Sequence, residues 1–522
     1  MKKTQLALAL AGILISAQAF ALQTTPVTKA QLESPALPVQ QTWITGSSAA
    51  VFPEFDSFTL GCNAGTVSVF TDGVQGNKVG SYANSAGNGT NFTAIACTRG
   101  TGSNEKYAVM YQSIAGGSLF AISPHTLGLN NANGFVNRLK NLTLPSTACT
   151  GTATSFVNGT QTVPVTRGCP ATAATVGTST ATSLTASAIP GDPTTLQLPA
   201  GGFLDVEPAA FPPALAGNFN AKGVSVQSQT GQVFGIVVNK ELYRDLQVDQ
   251  GLYTSTAAAI SADANFDPLN APSISKTQYA TLVSSTGFHN DGSDLAPNSG
   301  VGKKITVFSR ADTSGTQASS NIFFLNNPCA KGVSANLTAQ GALTGSTYAV
   351  SPQGGTGGVK SGITAVAAGA YAIGLVSLEN DWRVDVAVNN GYRFVKLDGV
   401  HPETGSVQAN PEYPAGTPFY TGRLTAVNAQ YPLQMEMYQF KANTTTAASN
   451  PLGDELLQNA IAQGGLSLLD KLSTPTVCTD VPRGVTLLPT GGSSCNNQFS
   501  ATPDNVVSET NRAGNNCKAS QF

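Results

Sequence analysis

Short apolar runs of strand type alternate along the chain with stretches of helical spacing. The segment Gln232–Val238 carries a continuous apolar run of the kind that fills a strand buried on both faces, and Lys240 to Leu246 after it reads as a helix. A second strand, Lys304 to Phe308, leads through Ser309-Arg310-Ala311-Asp312-Thr313-Ser314-Gly315-Thr316 into a helical stretch from Gln317 to Leu325. Ala372 to Val376 predicts a third short buried strand. Near the N-terminus, Thr42 to Gly46 predicts a strand closed by glycine, and Ser47 to Pro53 the start of a helix with a serine available as its N-cap. Leu456, Leu457, Ile461, Leu468, Leu469 and Leu472 recur at helical spacing, interrupted by Gly464-Gly465, and predict a helix packed on a core. Strands alternating with helices argue for an α/β architecture rather than a sandwich.

Three segments break this pattern. Residues 22–41 are rich in Pro, Thr and Gln without apolar periodicity and predict an extended leader, with order beginning near Trp43. Between Asn141 and Pro190 the only charged residue is Arg167, and two cysteines bracket part of the stretch; residues 120–198 therefore read as a β- or loop-rich insertion stapled by a disulfide. From Ser473 onward Gly, Pro, Asn and Cys dominate, which predicts a tail of loops, residues 473–522, held by disulfides.

Composition then narrows the function classes. Only 11% of the 522 residues are charged, where a typical soluble domain carries roughly 25%. A formal net charge of -2, with no basic stripe or block of like charge, excludes the electrostatic footprint of a nucleic-acid or anionic-membrane binder. Met1-Lys2-Lys3, the apolar run Leu6 to Ile15 and Ala19-Phe20-Ala21 have the layout of a signal peptide, residues 1–21, so a periplasmic or secreted protein is expected. The apolar run is shorter than the ~20 residues that span a bilayer, and no membrane anchor is expected. Eight cysteines in an exported chain predict up to four disulfides, with the sequence neighbours Cys62–Cys97, Cys149–Cys169 and Cys495–Cys517 the cheapest closures. No CxxC occurs, and His125, His289 and His401 stand apart from the cysteines, so no metal site is expected.

Arg310 to Thr316 is the stretch richest in chemistry. Between a strand and a helix, Ser314, Gly315 and Thr316 would present backbone N–H groups and two hydroxyls at the positive end of the helix, which makes an oxyanion cradle. Arg310 can add a bidentate charge-assisted contact, and Asp312 is near enough in sequence to orient its guanidinium. The same spacing also suits an exposed loop whose Ser and Thr merely cap the helix.

With its preceding strand, RADTSGT resembles the anion-binding signature of the periplasmic phosphate-binding proteins of ABC phosphate importers. Other stretches fall in that family's order. Gly46 to Pro53 (GSSAAVFP) is similar to its first glycine-rich turn, Tyr111 to Ser118 (YQSIAGGS) to its second turn, and Gly202 to Pro208 (GFLDVEP) to the turn bearing its buried aspartate. Phe234 to Asn239 resembles its crossing strand and Gly369 to Val376 (GAYAIGLV) a later strand, so the match covers most of residues 42–440. The resemblance implies a two-lobed periplasmic-binding-protein-like fold. Residues 42–232 and 431–522 would form lobe I, with the insertion and tail, and 233–430 lobe II, hinged near Val233 and Tyr431. It further implies phosphate contacts from Arg310, Ser314, Gly315, Thr316 and Asp205, from the backbone of Phe52, and from Gly117 or Ser118 depending on a one-residue shift. Asp205 alone also suits a helix N-cap. As a buried carboxylate it would accept a hydrogen bond only from an anion still carrying a proton, favouring hydrogen phosphate over sulfate. The chain departs from the family at Val51, where a hydroxyl residue is usual, and in the long insertion before Asp205.

These readings lead to a monomeric solute-binding protein for phosphate or a related oxyanion, without a cofactor and with an ABC importer permease as partner. The low charge, Thr-rich insertion and cysteine-rich tail favour the alternative of an extracellular scavenger or surface interaction module on the same fold. No enzyme is expected: G-x-S-x-G, H-E-x-x-H and Walker A sequences are absent, and Ser314 beside Arg310 reads as a donor to a bound anion rather than a nucleophile.

Overall fold

The computed structural model describes residues 22–72, 92–114, 117–127, 149–151, 153–158, 161–169, 199–262, 267–287, 289–329, 337–385, 390–405, 407–408, 418–462, 483–488 and 506–521. The expected signal peptide, residues 1–21, most of the insertion beyond residue 127, and Cys478 and Cys495 lie outside them.

Among the described residues one mixed sheet of 14 strands carries the fold. Its first seven strands are β1 (Val39–Gly46), β2 (Ser68–Thr71), β3 (Phe92–Arg99), β4 (Lys106–Ser113), β5 (Thr154–Asn158), β6 (Gln161–Thr166) and β7 (Gly201–Leu204). The others are β8 (Gly223–Asn239), β9 (Ile305–Phe308), β10 (Tyr348–Val350), β11 (Tyr371–Ser377), β12 (Tyr392–Phe394), β13 (Gln434–Ala442) and β14 (Val485–Leu487). They run in the order β10-β9-β11-β8-β13-β7-β1-β4-β3-β2-β6-β5, with β12 and β14 also pairing with β8.

β8 joins two parts of this sheet. Its first section, Gly223 to Val233, pairs antiparallel with β13, and its second, Phe234 to Asn239, pairs with β11 and β12. Val233, Phe234, Ile236, Val237 and Val238 are fully buried, as the unbroken apolar run requires. On either side of β8 lies a set of three parallel strands: β1 between β7 and β4, and β9 between β10 and β11. The carboxyl ends of each set share an edge, so the residues that follow those strands gather in two groups.

The helices that matter for these groups are α1 (Val51–Thr59), α2 (Lys240–Asp249), α3 (Gly315–Leu325), α4 (Thr356–Ala365) and α5 (Pro451–Ala462). α1 packs Phe55 and Phe58 into a core with Ile44, Met110 and Phe203, and α5 adds Leu452, Leu456 and Leu457 to it. A larger core gathers β8, β9, β11 and β12 with Ile322 and Leu325 of α3 and Leu242 and Leu246 of α2. Among the described residues, strands and helices thus sit close to where the apolar pattern predicts them; Leu468, Leu469 and Leu472 of the last predicted helix lie outside those residues.

Three sequence expectations need correction or trimming. Residues 22–41 are not simply extended: Lys29–Glu33 is a helical turn, because Thr28 and Gln31 form a reciprocal capping box, and β1 begins already at Val39. Helical turns at Ser118–Ala121 and Ser123–Thr126 bury Leu119, Phe120 and Ile122, so the start of the expected insertion belongs to the core; its hairpin β5–β6 lies at the far edge of the sheet. Cys62–Cys97 and Cys149–Cys169 are bonded as the neighbour rule expects. Cys517 instead bonds Cys329, at a sequence separation of 188, because the tail folds back across the sheet.

One buried acid sets a pH dependence for this fold. Glu54 of α1 is 2% exposed, accepts a hydrogen bond from the Gln112 amide of β4, and is pushed by burial from 4.5 up to about 8. The folded state therefore holds a proton that the unfolded chain releases. Its contribution is full below 4.5 and is lost as pH rises through about 8. Glu54→Gln should melt above the wild type at pH 8, with the difference shrinking towards pH 4.5; circular dichroism melts across this range check it, and parallel pH profiles would refute it.

Candidate functional site

Each residue of the candidate site follows the carboxyl end of a parallel strand. Ser47 comes directly after β1, Ser118 after β4 and Asp205 directly after β7. From the second set, Arg310 follows β9 and leads into Ser314 at the N-cap of α3, and Thr356 opens α4 after β10. In open α/β sheets the crevice at such ends is where ligands bind.

Asp205, Ser47, Ser118, Ser314 and Thr316 are all at most 3% exposed and Arg310 is 5% exposed. The Ser47 hydroxyl donates to Asp205 Oδ1 and also accepts from the Ala49 amide at 3.0 Å, capping the turn that enters α1. Thr316 Oγ1 donates to Asp205 Oδ2 at 3.5 Å. The two strand sets touch directly at this point, where the Leu119 amide donates to Thr313 O at 3.0 Å. The approach is close enough to require glycine at two places. A Cβ on Gly315 would lie 2.4 Å from Ser118 Oγ and 2.6 Å from Asp205 Oδ2, and one on Gly117, at φ +92, would lie 2.9 Å from Ser314 Cα.

Burial raises the pKa of Asp205, while the hydrogen bond from Ser47, the charge of Arg310 and the hydroxyls of Ser118 and Thr316 oppose the rise. Burial pulls Arg310 down to about 10, against the charges of Asp205 and Glu379, so it remains a cation at neutral pH. Its backbone amide donates to Gln317 Oε1 at 2.9 Å, and its Nη1 donates to Thr356 Oγ1 at 2.7 Å and Nη2 to Gly354 O at 3.4 Å. Nε is buried and has no hydrogen-bond partner among the described residues. α4, which brings Thr356 here, is fixed one turn further on by Lys360, whose ammonium donates to Asn380 Oδ1 at 2.9 Å and Asp385 Oδ2 at 2.6 Å.

Of the sequence-named residues, Ser118, Asp205, Arg310, Ser314, Gly315 and Thr316 come together. Phe52 lies inside α1, past the Ser47 cap, and the helix entry that meets Asp205 is Ser47 itself. Asp312 is exposed; Thr356 and the Gly354 carbonyl steady the guanidinium in its place. The sequence alone marks Ser47 as a cap only and does not single out Thr356 or Gln317 as site residues. The signal for Thr356 is its place in Gly354-Gly355-Thr356-Gly357-Gly358, between a short strand and a helix.

The assembled chemistry is hydroxyls, a helix N-terminus, one guanidinium and one buried carboxylate. That set can hold an oxyanion, and one proton must lie between Asp205 and any anion seated against it, because two bare negative charges would repel. Among the described residues no group of His, Cys, Asp and Glu could hold a metal ion. The three histidines lie elsewhere: His125 beside Phe440, His289 stacked on Tyr348, and His401 bonded to the Phe394 carbonyl.

No family model matches the chain, and no curated protein matches it. Among solved structures it is similar to the crystal structure of a possible phosphate binding protein from Planctomyces limnophilus, at 12% identity and a TM-score of 0.24, over 52% of this chain and 73% of that one. A likeness of that size fixes neither fold nor ligand.

Thr356 tests whether the guanidinium must be held in place. Thr356→Val should weaken oxyanion binding about tenfold or more, since a hydrogen bond to a charged group is worth roughly 1.5–3 kcal/mol. Thr356→Ser should restore most of it. Calorimetry of both variants decides, and equal affinities for valine and serine would remove Thr356 from the site.

Proposed function

We propose that the protein is an exported solute-binding protein whose two lobes close on phosphate or a related oxyanion. The observation that carries this reading is the convergence of Asp205 and Ser118 from one set of parallel strands with Arg310, Ser314, Gly315 and Thr316 from the other. The lobes correspond to the two parts of the sheet on either side of β8. The chain passes between them at Val233 and again just before β13, where the Phe234 amide donates to Leu433 O at 3.0 Å.

On this reading Asp205 accepts a hydrogen bond from the O–H of hydrogen phosphate, Arg310 and the first turn of α3 neutralise the anion's charge, and the closed form binds more tightly than the open one, which drives closure. Sulfate has no proton to offer at neutral pH and meets Asp205 as a repelling charge. Binding needs no cofactor, and Ser314 acts as a donor, since no histidine stands among the described site residues to serve as its base. Three disulfides among the described residues support export. No helix among the described residues is long and apolar enough to cross a membrane.

Calorimetric titration of the protein stripped of anion, with phosphate and with sulfate near neutral pH, tests the reading. Phosphate should bind and sulfate should not. Arg310→Ala should cost about 2–5 kcal/mol of affinity, the loss expected when a buried charged partner is truncated, and Asp205→Asn should narrow the preference for phosphate over sulfate. Absence of phosphate binding, or equal binding of both anions, would refute it.

A further inference from the structure

The tail is bonded to both of the groups that meet in the candidate site. Cys517 is bonded to Cys329, just past the far end of α3, the helix whose first turn faces Asp205. Its neighbour Asn516 holds the opposite side. The Asn516 amide donates to Glu207 Oε1 at 3.0 Å and its side-chain Nδ2 to Glu207 Oε2 at 2.6 Å, and Glu207 stands two positions after Asp205. Asn516 is 1% exposed and its remaining groups are used as well. Oδ1 accepts from the Glu436 amide at 2.8 Å, and Nδ2 also donates to the Glu436 carbonyl at 2.9 Å.

Further bonds fix this segment to β13. The Glu436 carboxylate accepts from the Arg512 amide and from the Gly514 amide, the latter at 2.9 Å, and the Tyr438 hydroxyl donates to Gly514 O. The Arg512 guanidinium folds over the turn, donating to Lys518 O at 2.6 Å and Asn516 O at 3.3 Å. A ring therefore runs from Asp205 through Glu207, Asn516, Cys517, Cys329 and α3 back to Gly315, closed across the cleft by the site itself. Two of its links are strong for different reasons. The disulfide is covalent, and in the Glu207–Asn516 pair Asn516 is fully buried and Glu207 half-buried, so breaking it leaves the asparagine's polar groups without water.

We propose that this C-terminal strap staples the cleft in its closed form, so that opening requires the Glu207–Asn516 contact or the Cys329–Cys517 bond to give way. The proposal rests on the lobe-closure reading above and concerns how the same site is regulated. A stapled cleft releases its ligand slowly, and most affinity and residence-time differences between related complexes reside in the dissociation step. That property suits a protein that retains its anion better than one that hands it on at every encounter.

The test uses the full oxidised chain, a Cys329→Ser/Cys517→Ser double variant, Asn516→Ala with the disulfide intact, and Cys62→Ser/Cys97→Ser as a control outside the ring. Hydrogen exchange is followed in ligand-free protein over Ser118–Phe120 and Gly315–Gln317. Release of radiolabelled inorganic phosphate is followed after a chase with unlabelled phosphate. Both strap variants should exchange these amides faster and release phosphate about tenfold faster or more, while the control does neither. Folded strap variants with unchanged amide exchange would overturn the proposal, as would an equal effect in the control. A wild type that binds no phosphate would sink the functional reading alone, because the amide exchange of the ligand-free protein still decides the strap.

Discussion

A carboxylate and a guanidinium buried at the same point, Asp205 and Arg310, constrain the rest of the molecule. Charges removed from water destabilise a fold unless each finds a partner and its hydrogen-bonding atoms are used. Here Ser47, Ser118 and Thr316 supply the hydroxyls for Asp205, and Thr356, Gly354 and Gln317 hold Arg310. Those partners come from both strand sets, so the two parts of the sheet must approach closely enough to require glycine at 117 and 315. The electrostatic need thus dictates a packing detail at Gly117, far in sequence from either charge.

Topology explains why the convergence is possible at all. Parallel strands end at one edge, and a chain that builds two such sets on a shared strand can place loops of both around one crevice. β8 supplies that shared strand, with β13 along its first section and β11 and β12 along its second. Ser47, at the entry to α1, and Thr316, in the first turn of α3, then both donate their hydroxyls to the Asp205 carboxylate. The Thr45 hydroxyl donates at 2.6 Å to Phe120 O, fixing the turn that carries Ser118 against β1.

Much of this was legible in the sequence because it is local. The unbroken apolar run around Val233 marked a buried strand, and Arg310 to Thr316 marked the turn between β9 and α3. Where the sequence misled, the deciding partner lay far away in the chain. Asp312 is the nearest acid to Arg310 in sequence but faces solvent, while the carboxylate that matters stands at Asp205 and the hydroxyl that matters at Thr356. Neighbour spacing found two disulfides and missed Cys329–Cys517, because loop-closure cost says nothing of a tail that docks by burying Asn516. Glu54 gave no signal in the sequence; its burial follows from the seating of α1 over Gln112.

The strap also changes how the crossing between the two sheet parts should be weighed. β14 pairs with β8 at Thr230 to Gln232, immediately before the crossing, and the Gly484 carbonyl accepts from the Val233 amide at 2.8 Å. Arg483, beside it, reaches over to the carbonyls of Leu378 and Asn380 and to the Glu403 carboxylate, which Arg383 also grips at 2.9 and 3.1 Å. Removing one member of such a buried group leaves a charge uncompensated, so the group resists being pulled apart. Two strands alone would leave the crossing free to bend. With β14, Arg483 and the Cys329–Cys517 bond added, the joint between the two parts of the sheet is held by the tail as well as by β8 and β13.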